Sequence, residues 1–289
     1  MKCAVIVNSY FDSEDYLYQA KRLQEEFTLL GVTCDILKND TYLVRIVNND
    51  VKVSFDYDFV IFWDKDKYLL RLLDKAGYRV FNNSKAIEIC DDKMLTYIEL
   101  AKNAIRIPNT IPGLLCFTKD AKIQHKTIYS IENALSYPMI IKESYGSLGK
   151  GIYLVKDREE LINTLEKVKM VPHLIQEYIK ESKGMDIRVI VIGGKAIGAM
   201  KRESSSDFRS NIGAGGKGTV YPMNDELISI SEKISEVLNL DYCGIDLLLG
   251  EDGYIVCEVN SNAFFKTFEK ATSINVANQY AKYILSKLG

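Results

Sequence analysis

Histidine is nearly missing from this chain: there are two, His125 and His173, among 289 residues. Neither stands near an acid or a nucleophile at a spacing that suggests a catalytic triad or a zinc site, so chemistry built on imidazole has little to work with. The six cysteines, Cys3, Cys34, Cys90, Cys116, Cys243 and Cys257, are scattered and form no C-x-x-C pair. Most sit inside apolar strand or helix patterns, as reduced thiols of a cytoplasmic protein would. Neither sign of charge dominates, because 37 Lys plus Arg meet 39 Asp plus Glu without a block of five like charges. That balance argues against a nucleic-acid footprint and a polybasic membrane arm. No apolar run approaches a membrane span, and the opening Met1-Lys2-Cys3-Ala4-Val5-Ile6-Val7-Asn8 is interrupted too soon for a signal sequence.

What is present is a 47% hydrophobic chain, long enough for a sizeable core and two or three subdomains. Residues 2 to 8 form an apolar strand. Tyr16, Leu17, Ala20, Leu23, Phe27 and Leu30 then recur at helical spacing up to Gly31, and a second strand covers 33 to 37. A hairpin through Asn48-Asn49-Asp50, a strand over 58–63, a short helix over 69–76 and a strand over 79–82 complete a small α/β domain, residues 1–83. It lacks a Gly-rich turn after its first strand and so the usual dinucleotide-binding fingerprint. From Ser84 one continuous capped helix is expected to run to about Asn103, with Lys93 on its polar side.

Tyr137 to Tyr145 reads as an apolar strand with Lys142 inserted, leading into Gly146-Ser147-Leu148-Gly149-Lys150-Gly151 and a strand over 152–155. Such a loop leaves backbone N–H groups free to wrap an anion, and Lys142 adds a positive charge at its base. A helix over 159–169 and a strand over 173–179 follow. Next comes a hairpin of 186–192 and 195–201 turning on Gly193-Gly194, whose first strand carries Asp186 and Arg188 on one face. A polar loop, Ser204 to Gly218, lacks apolar periodicity, and long loops inside compact domains are more often functional than idle. Helices are expected over 225–238 and 273–288.

The most informative stretch is Tyr242 to Asn262, where two strand-forming runs flank a Gly-Glu-Asp-Gly turn. Asp246 and Glu258 occupy positions where a core strand should be apolar. With the turn centred near Asp252 they face each other across the ladder or lie on a diagonal, and Asn260 shares the face of Glu258. Two like charges at that separation call for a cation between them, and an all-oxygen donor set suits Mg²⁺.

The order of these signals resembles the ATP-grasp superfamily. The wording of Asn82-Asn83-Ser84-Lys85-Ala86-Ile87-Glu88-Ile89-Cys90-Asp91-Asp92-Lys93, of Gln176-Glu177-Tyr178-Ile179 through Arg188, of Asp207-Phe208-Arg209-Ser210-Asn211 and of Glu258-Val259-Asn260 resembles its RimK-like branch of glutamate and amino-acid ligases. The resemblance covers nearly the whole chain. It implies an α/β protein, α+β in the ATP-grasp part, in which the amino-terminal domain precedes two subdomains, 84–175 and 176–289, whose antiparallel sheets clasp ATP. It further implies Lys93 and Lys142 at the phosphates, Gly146, Ser147, Gly149 and Gly151 closing over them, and Gln176, Glu177, Tyr178 and Ile179 at the adenine. Asp186 would take the ribose hydroxyls, and Lys201 and Ser210 would join the nucleotide set. Arg188, Arg209 and Asn211 would meet the γ-phosphate and the transferred group. Asp246, Glu258 and Asn260 would hold two Mg²⁺ ions, with Mn²⁺ able to substitute.

The implied chemistry is ATP-dependent amide formation through an acyl phosphate. It joins an amino acid such as glutamate to a carboxylate-bearing small molecule, peptide or protein tail, in a homo-oligomer and without nucleic acid or membrane. The Gly146–Gly151 and Ser204–Gly218 loops would serve as lids. The chain departs from the branch after Asn260, reading Ser261-Asn262-Ala263-Phe264-Phe265-Lys266 where a small residue, Pro and Gly are usual. Rival readings are a phosphotransferase of the same fold and a nucleotide-binding module without catalysis.

Overall fold

Five buried apolar residues in a row make β1 (Lys2–Val7) a central strand of a parallel sheet, since a strand covered on both faces shows no polar alternation. The computed structural model describes residues 1–41, 43–146, 149–204, 207–210 and 217–289. The connection α1 (Glu14–Leu29) starts where the Ser13 side chain accepts the Tyr16 N–H, and it leads to β2 (Thr33–Lys38). A separate hairpin, β3 (Val44–Val47) and β4 (Asp50–Val53), turns on Asn48 and Asn49, both at positive φ. β5 (Phe59–Trp63), α2 (Lys67–Lys75) and β6 (Val80–Phe81) complete the sheet in the order β2-β1-β5-β6.

Where one helix is expected from Ser84, there are two, α3 (Ser84–Asp91) and α4 (Lys93–Leu100). The break is at Asp92, whose backbone is extended and whose carboxylate accepts the N–H groups of Met94 and Leu95. An aspartate that caps a new helix competes with continuation of the old one. The Lys93 N–H bonds the Ser144 carbonyl at 3.0 Å instead, which seats the start of α4 beside the glycine loop.

Two antiparallel sheets follow. β7 (Thr110–Pro112), β8 (Met139–Glu143), β9 (Ile152–Val155) and β10 (His173–Glu177) pair in the order β7-β10-β8-β9, over a core shared with α5 (His125–Ala134) and α6 (Arg158–Val168). β11 (Met185–Ile192), β12 (Lys195–Glu203), β13 (Lys217–Tyr221), β14 (Tyr242–Gly250) and β15 (Gly253–Asn260) pair in the order β13-β12-β11-β14-β15. β13 begins inside the stretch expected to be loop up to Gly218, as an edge strand too short to show a period of its own. One face of this sheet, with Ile187, Val189, Ile245 and Leu247, packs on α7 (Asp225–Val237). The chain closes with α8 (Lys266–Thr272), absent from the sequence expectation, and α9 (Val276–Ser286). No helix among the described residues is long and apolar enough to cross a membrane.

The parallel sheet and the five-stranded sheet share one core, in which Trp63, Tyr242, Phe265 and Tyr280 meet. Asn82, just after β6, fastens the two together. Its amide donates to the carbonyls of Tyr242 and Ser261 at 2.7 and 3.0 Å, and its oxygen accepts the N–H groups of Asp241 and Tyr242 at 2.6 and 2.9 Å. All four bonds are buried or part-buried. Asn82→Leu should therefore strand several backbone groups, at about 1–3 kcal/mol for an unsatisfied group. The expected result is a total loss of roughly 3 kcal/mol or more, read as a lower urea midpoint with an unchanged slope.

Candidate active site

Alternation along β11 sends Ile187 and Val189 into the apolar core and turns Asp186 and Arg188 to the other face. The register places Arg202 opposite Asp186 and Asp246 opposite Arg188. Arg188 donates Nε and Nη2 to the two oxygens of Asp246, both at 2.7 Å. Arg202 forks onto both oxygens of Asp186 and reaches Asp246 Oδ2 at 2.8 Å, while the Ser210 hydroxyl also donates to Asp186. Two carboxylates and two guanidinium groups thus form a neutral cluster with almost no water. Burial pushes the Asp186 carboxyl up, and Arg202 only partly offsets it. Burial acts the same way on Asp246, but Arg188 and Arg202 together outweigh it and hold its carboxyl below the usual range.

Arg202 was not singled out in the sequence, where its neighbour Lys201 drew attention. Lys201 lies opposite Ile187, on the far face, and pairs with Glu203 at 2.7 Å. The expected contact of Asp186 with ribose finds both its oxygens already engaged. Period-2 alternation within β12 would have separated the two candidates once the facing strand was known.

Glu258 stands directly opposite Asp246, and Asn260 opposite Gly244, so all three expected metal donors share one face; Asn260 Nδ2 is 3.4 Å from Asp246 Oδ2. Lys93 Nζ lies 3.4 Å from Glu258 and 2.9 Å from the Gly146 carbonyl. Lys142 is 7% exposed, and its ammonium meets Cys257 Sγ at 4.0 Å and the Tyr97 ring at 6.0 Å, with no carboxylate paired to it among the described residues. Gly146, Gly149 and Gly151 all have positive φ, and a side chain on Gly151 would strike Glu143. Arg209 is held by Asp207 and donates to the Gly149 carbonyl at 2.6 Å, tying its own segment to the glycine loop.

On β10, Gln176 bonds Thr110 and the Glu177 carboxylate clamps the backbone and amide of Asn109. Tyr178 and Ile179 follow directly, and the buried Tyr178 hydroxyl has no partner among the described residues. Ser147 and Asn211 lie outside the described residues.

These residues fit the groups that the sequence implies. The buried Lys142 ammonium, with no carboxylate paired to it among the described residues, leaves a fixed cation for a bound polyanion to satisfy. Two carboxylates and an amide suit a hard cation, and the described residues bring no group of three or more His, Cys, Asp or Glu together to hold a metal. A cation at Asp246 would have to share it with, or displace, Arg188 and Arg202.

Residues 90–284 match the RimK-like ATP-grasp domain. The chain is 35% identical over 228 residues to N-acetylaspartylglutamate synthase A of Homo sapiens, covering 78% of this chain and 57% of that protein. It is also 35% identical over 228 residues to beta-citrylglutamate synthase B of Homo sapiens, covering 78% and 58%. The chain therefore spans somewhat over half the length of these curated relatives. In three dimensions it is similar to the RimK domain ATP-grasp protein of Sphaerobacter thermophilus, with a TM-score of 0.75, 18% identity, and 98% and 99% of the two chains covered.

Removing Arg202 should expose how much the charge cluster depends on it. Arg202→Met leaves Arg188 on Asp246 but takes the only guanidinium from the buried Asp186 carboxylate among the described residues, and breaking a buried pair in this way costs about 3–5 kcal/mol. A carboxyl whose folded pKa is raised destabilises the fold above that pKa and ceases to do so as pH falls through it. The deficit measured by urea unfolding should accordingly shrink as the pH is lowered, as Asp186 takes up a proton.

Proposed function

The chain belongs to the RimK-like ATP-grasp family, and from that membership we propose that it is an ATP-dependent carboxylate–amine ligase. It would form an amide through an acyl phosphate, with an amino acid such as glutamate supplying the amine. The observation that carries this reading is the facing pair Asp246 and Glu258, on one face with Asn260 and bordered by Arg188 and Lys93. The glutamate assignment is supported by the names of the two human relatives, both of which end in that amino acid.

Each group in the site has work that this chemistry requires. A substrate carboxylate is already ionised at neutral pH, so attack on a phosphoryl group needs position and charge neutralisation rather than a base. Lys93 and Lys142 supply two fixed cations for the phosphates from different elements, α4 and β8. Arg188 helps hold the Asp246 carboxyl below its usual range and places a fixed guanidinium beside the facing pair, where preorganised charge would stabilise the transition state more than water does. Divalent cations held by Asp246, Glu258 and Asn260 would neutralise charge on the moving phosphoryl group. Arg209, tied to Gly149, brings a further cation beside the glycine loop.

The test is product analysis. A ligase should release ADP and phosphate only when both an acid and an amine are supplied, and mass spectrometry should find the amide. A stable phosphorylated acid would instead assign a phosphotransferase. Within the site, Glu258→Gln keeps the shape and removes one charge from the facing pair. Turnover should fall roughly 1000-fold, the ~4 kcal/mol expected when a metal's grip on the transition state is lost. Asn260→Ala, which leaves both carboxylates, should be the milder of the two.

A further inference from the structure

The β14–β15 ladder is not regular. From the turn it runs Gly250↔Gly253, Leu249↔Tyr254, Leu248↔Ile255 and Leu247↔Val256, and then shifts to Asp246↔Glu258, Ile245↔Val259 and Gly244↔Asn260. Cys257 is the extra residue of a β-bulge, without a partner on β14. Opposite residues of an antiparallel pair share a face. An unbulged continuation would put Glu258 across from Ile245, which is fully buried in the apolar core beneath α7. The bulge moves Glu258 across from Asp246 instead. Whatever fixes the bulge therefore fixes the pair of carboxylates.

One side chain reaches the bulged residue itself. The Tyr97 hydroxyl donates to the Cys257 carbonyl. Tyr97 is 2% exposed and lies on α4 four residues after Lys93, so both side chains leave the same face of that helix. Lys93 meets the Glu258 carboxylate at 3.4 Å and Tyr97 meets the backbone one residue earlier. On the outer side the Val256 N–H bonds the Arg106 carbonyl at 2.9 Å, which anchors the strand before the bulge but not the bulged peptide.

We propose that Tyr97 is a positioning residue, whose hydroxyl pins the bulge at Cys257 and so sets the register that turns Glu258 toward Asp246. The consequence for turnover rests on the ligase reading; the consequence for the backbone does not. Tyr97→Phe keeps the ring and removes only the donor. In the ligand-free protein, amide hydrogen exchange in 255–260 should rise at least ~10-fold in Tyr97→Phe while exchange elsewhere is unchanged, the signature of local opening. In turnover assays kcat should fall ~10–100-fold, the usual cost of removing a support one step behind metal ligands, with the KM for ATP within about twofold.

Deleting Cys257 gives a second variant. Removing the bulged residue leaves Glu258 opposite Asp246 in a regular ladder, and adding Tyr97→Phe to that chain should change neither exchange nor kcat. Unchanged exchange in 255–260, a uniform rise across the protein, or a local rise with wild-type kcat would each overturn the proposal. So would an equal effect of Tyr97→Phe in the Cys257-deleted chain. If no acid and amine pair supports turnover by the native protein, the ligase reading fails, and the exchange experiment still decides the role of Tyr97 in the bulge.

Discussion

Arg202 is the residue on which the geometry of the five-stranded sheet turns. From β12 it reaches Asp186 on the neighbouring β11 and Asp246 on β14, one strand further on, and all three are almost wholly buried. Apolar residues of similar volume would hold these strands at least as well, because desolvating charge offsets most of the Coulombic gain. The cluster gives orientation in return. A bidentate guanidinium fixes the plane of each carboxylate, and against the effect of burial Arg188 and Arg202 hold the Asp246 carboxyl below its usual range.

The departure from the family pattern after Asn260 acquires a physical reason in the fold. Asn262 donates its amide to the Asp64 carbonyl at 2.6 Å, Phe264 meets the Tyr16 ring edge-on at 5.8 Å, and Phe265 is fully buried against Trp63. The strand that carries Glu258 and Asn260 thus runs directly into the carboxyl end of the parallel sheet. There Asp64 is bonded by the amides of Asn8 and Asn39 and by the Lys65 N–H, and burial pushes its carboxyl up. Residues from the ends of β1, β2 and β5 are therefore joined in one network whose outer edge touches the exit of the acidic hairpin. A proline in place of Asn262 would not supply the amide that bonds Asp64.

Much of the fold was legible because its signals are local. The β-α-β opening, the Asn48-Asn49 turn, the glycine loop and the acidic hairpin rest on periodicity and on residues that suit positive φ. The helix expected from Ser84 failed at Asp92 because a capping aspartate and a helical aspartate look alike until the N–H groups it binds are known. α5, α8 and the edge strands β7 and β13 escaped because short elements owe their form to what they pack on. Lys201 was chosen over Arg202 because adjacent residues on a strand differ only in face, and face is a property of the pairing.

From the amino-acid order alone it is clear that acids interrupt an apolar hairpin, that lysines precede and enter the glycine-rich segment, and that histidines number only two. That order left open whether Asp246 and Glu258 face each other or lie on a diagonal. Only the tertiary structure decided that, by inserting one unpaired residue, Cys257, where the Tyr97 hydroxyl arrives from a helix 160 positions away in the chain. The physical reason is the period of the strand. A shift of a single residue reverses every side chain beyond it, and nothing within the hairpin's own sequence chooses between the two registers.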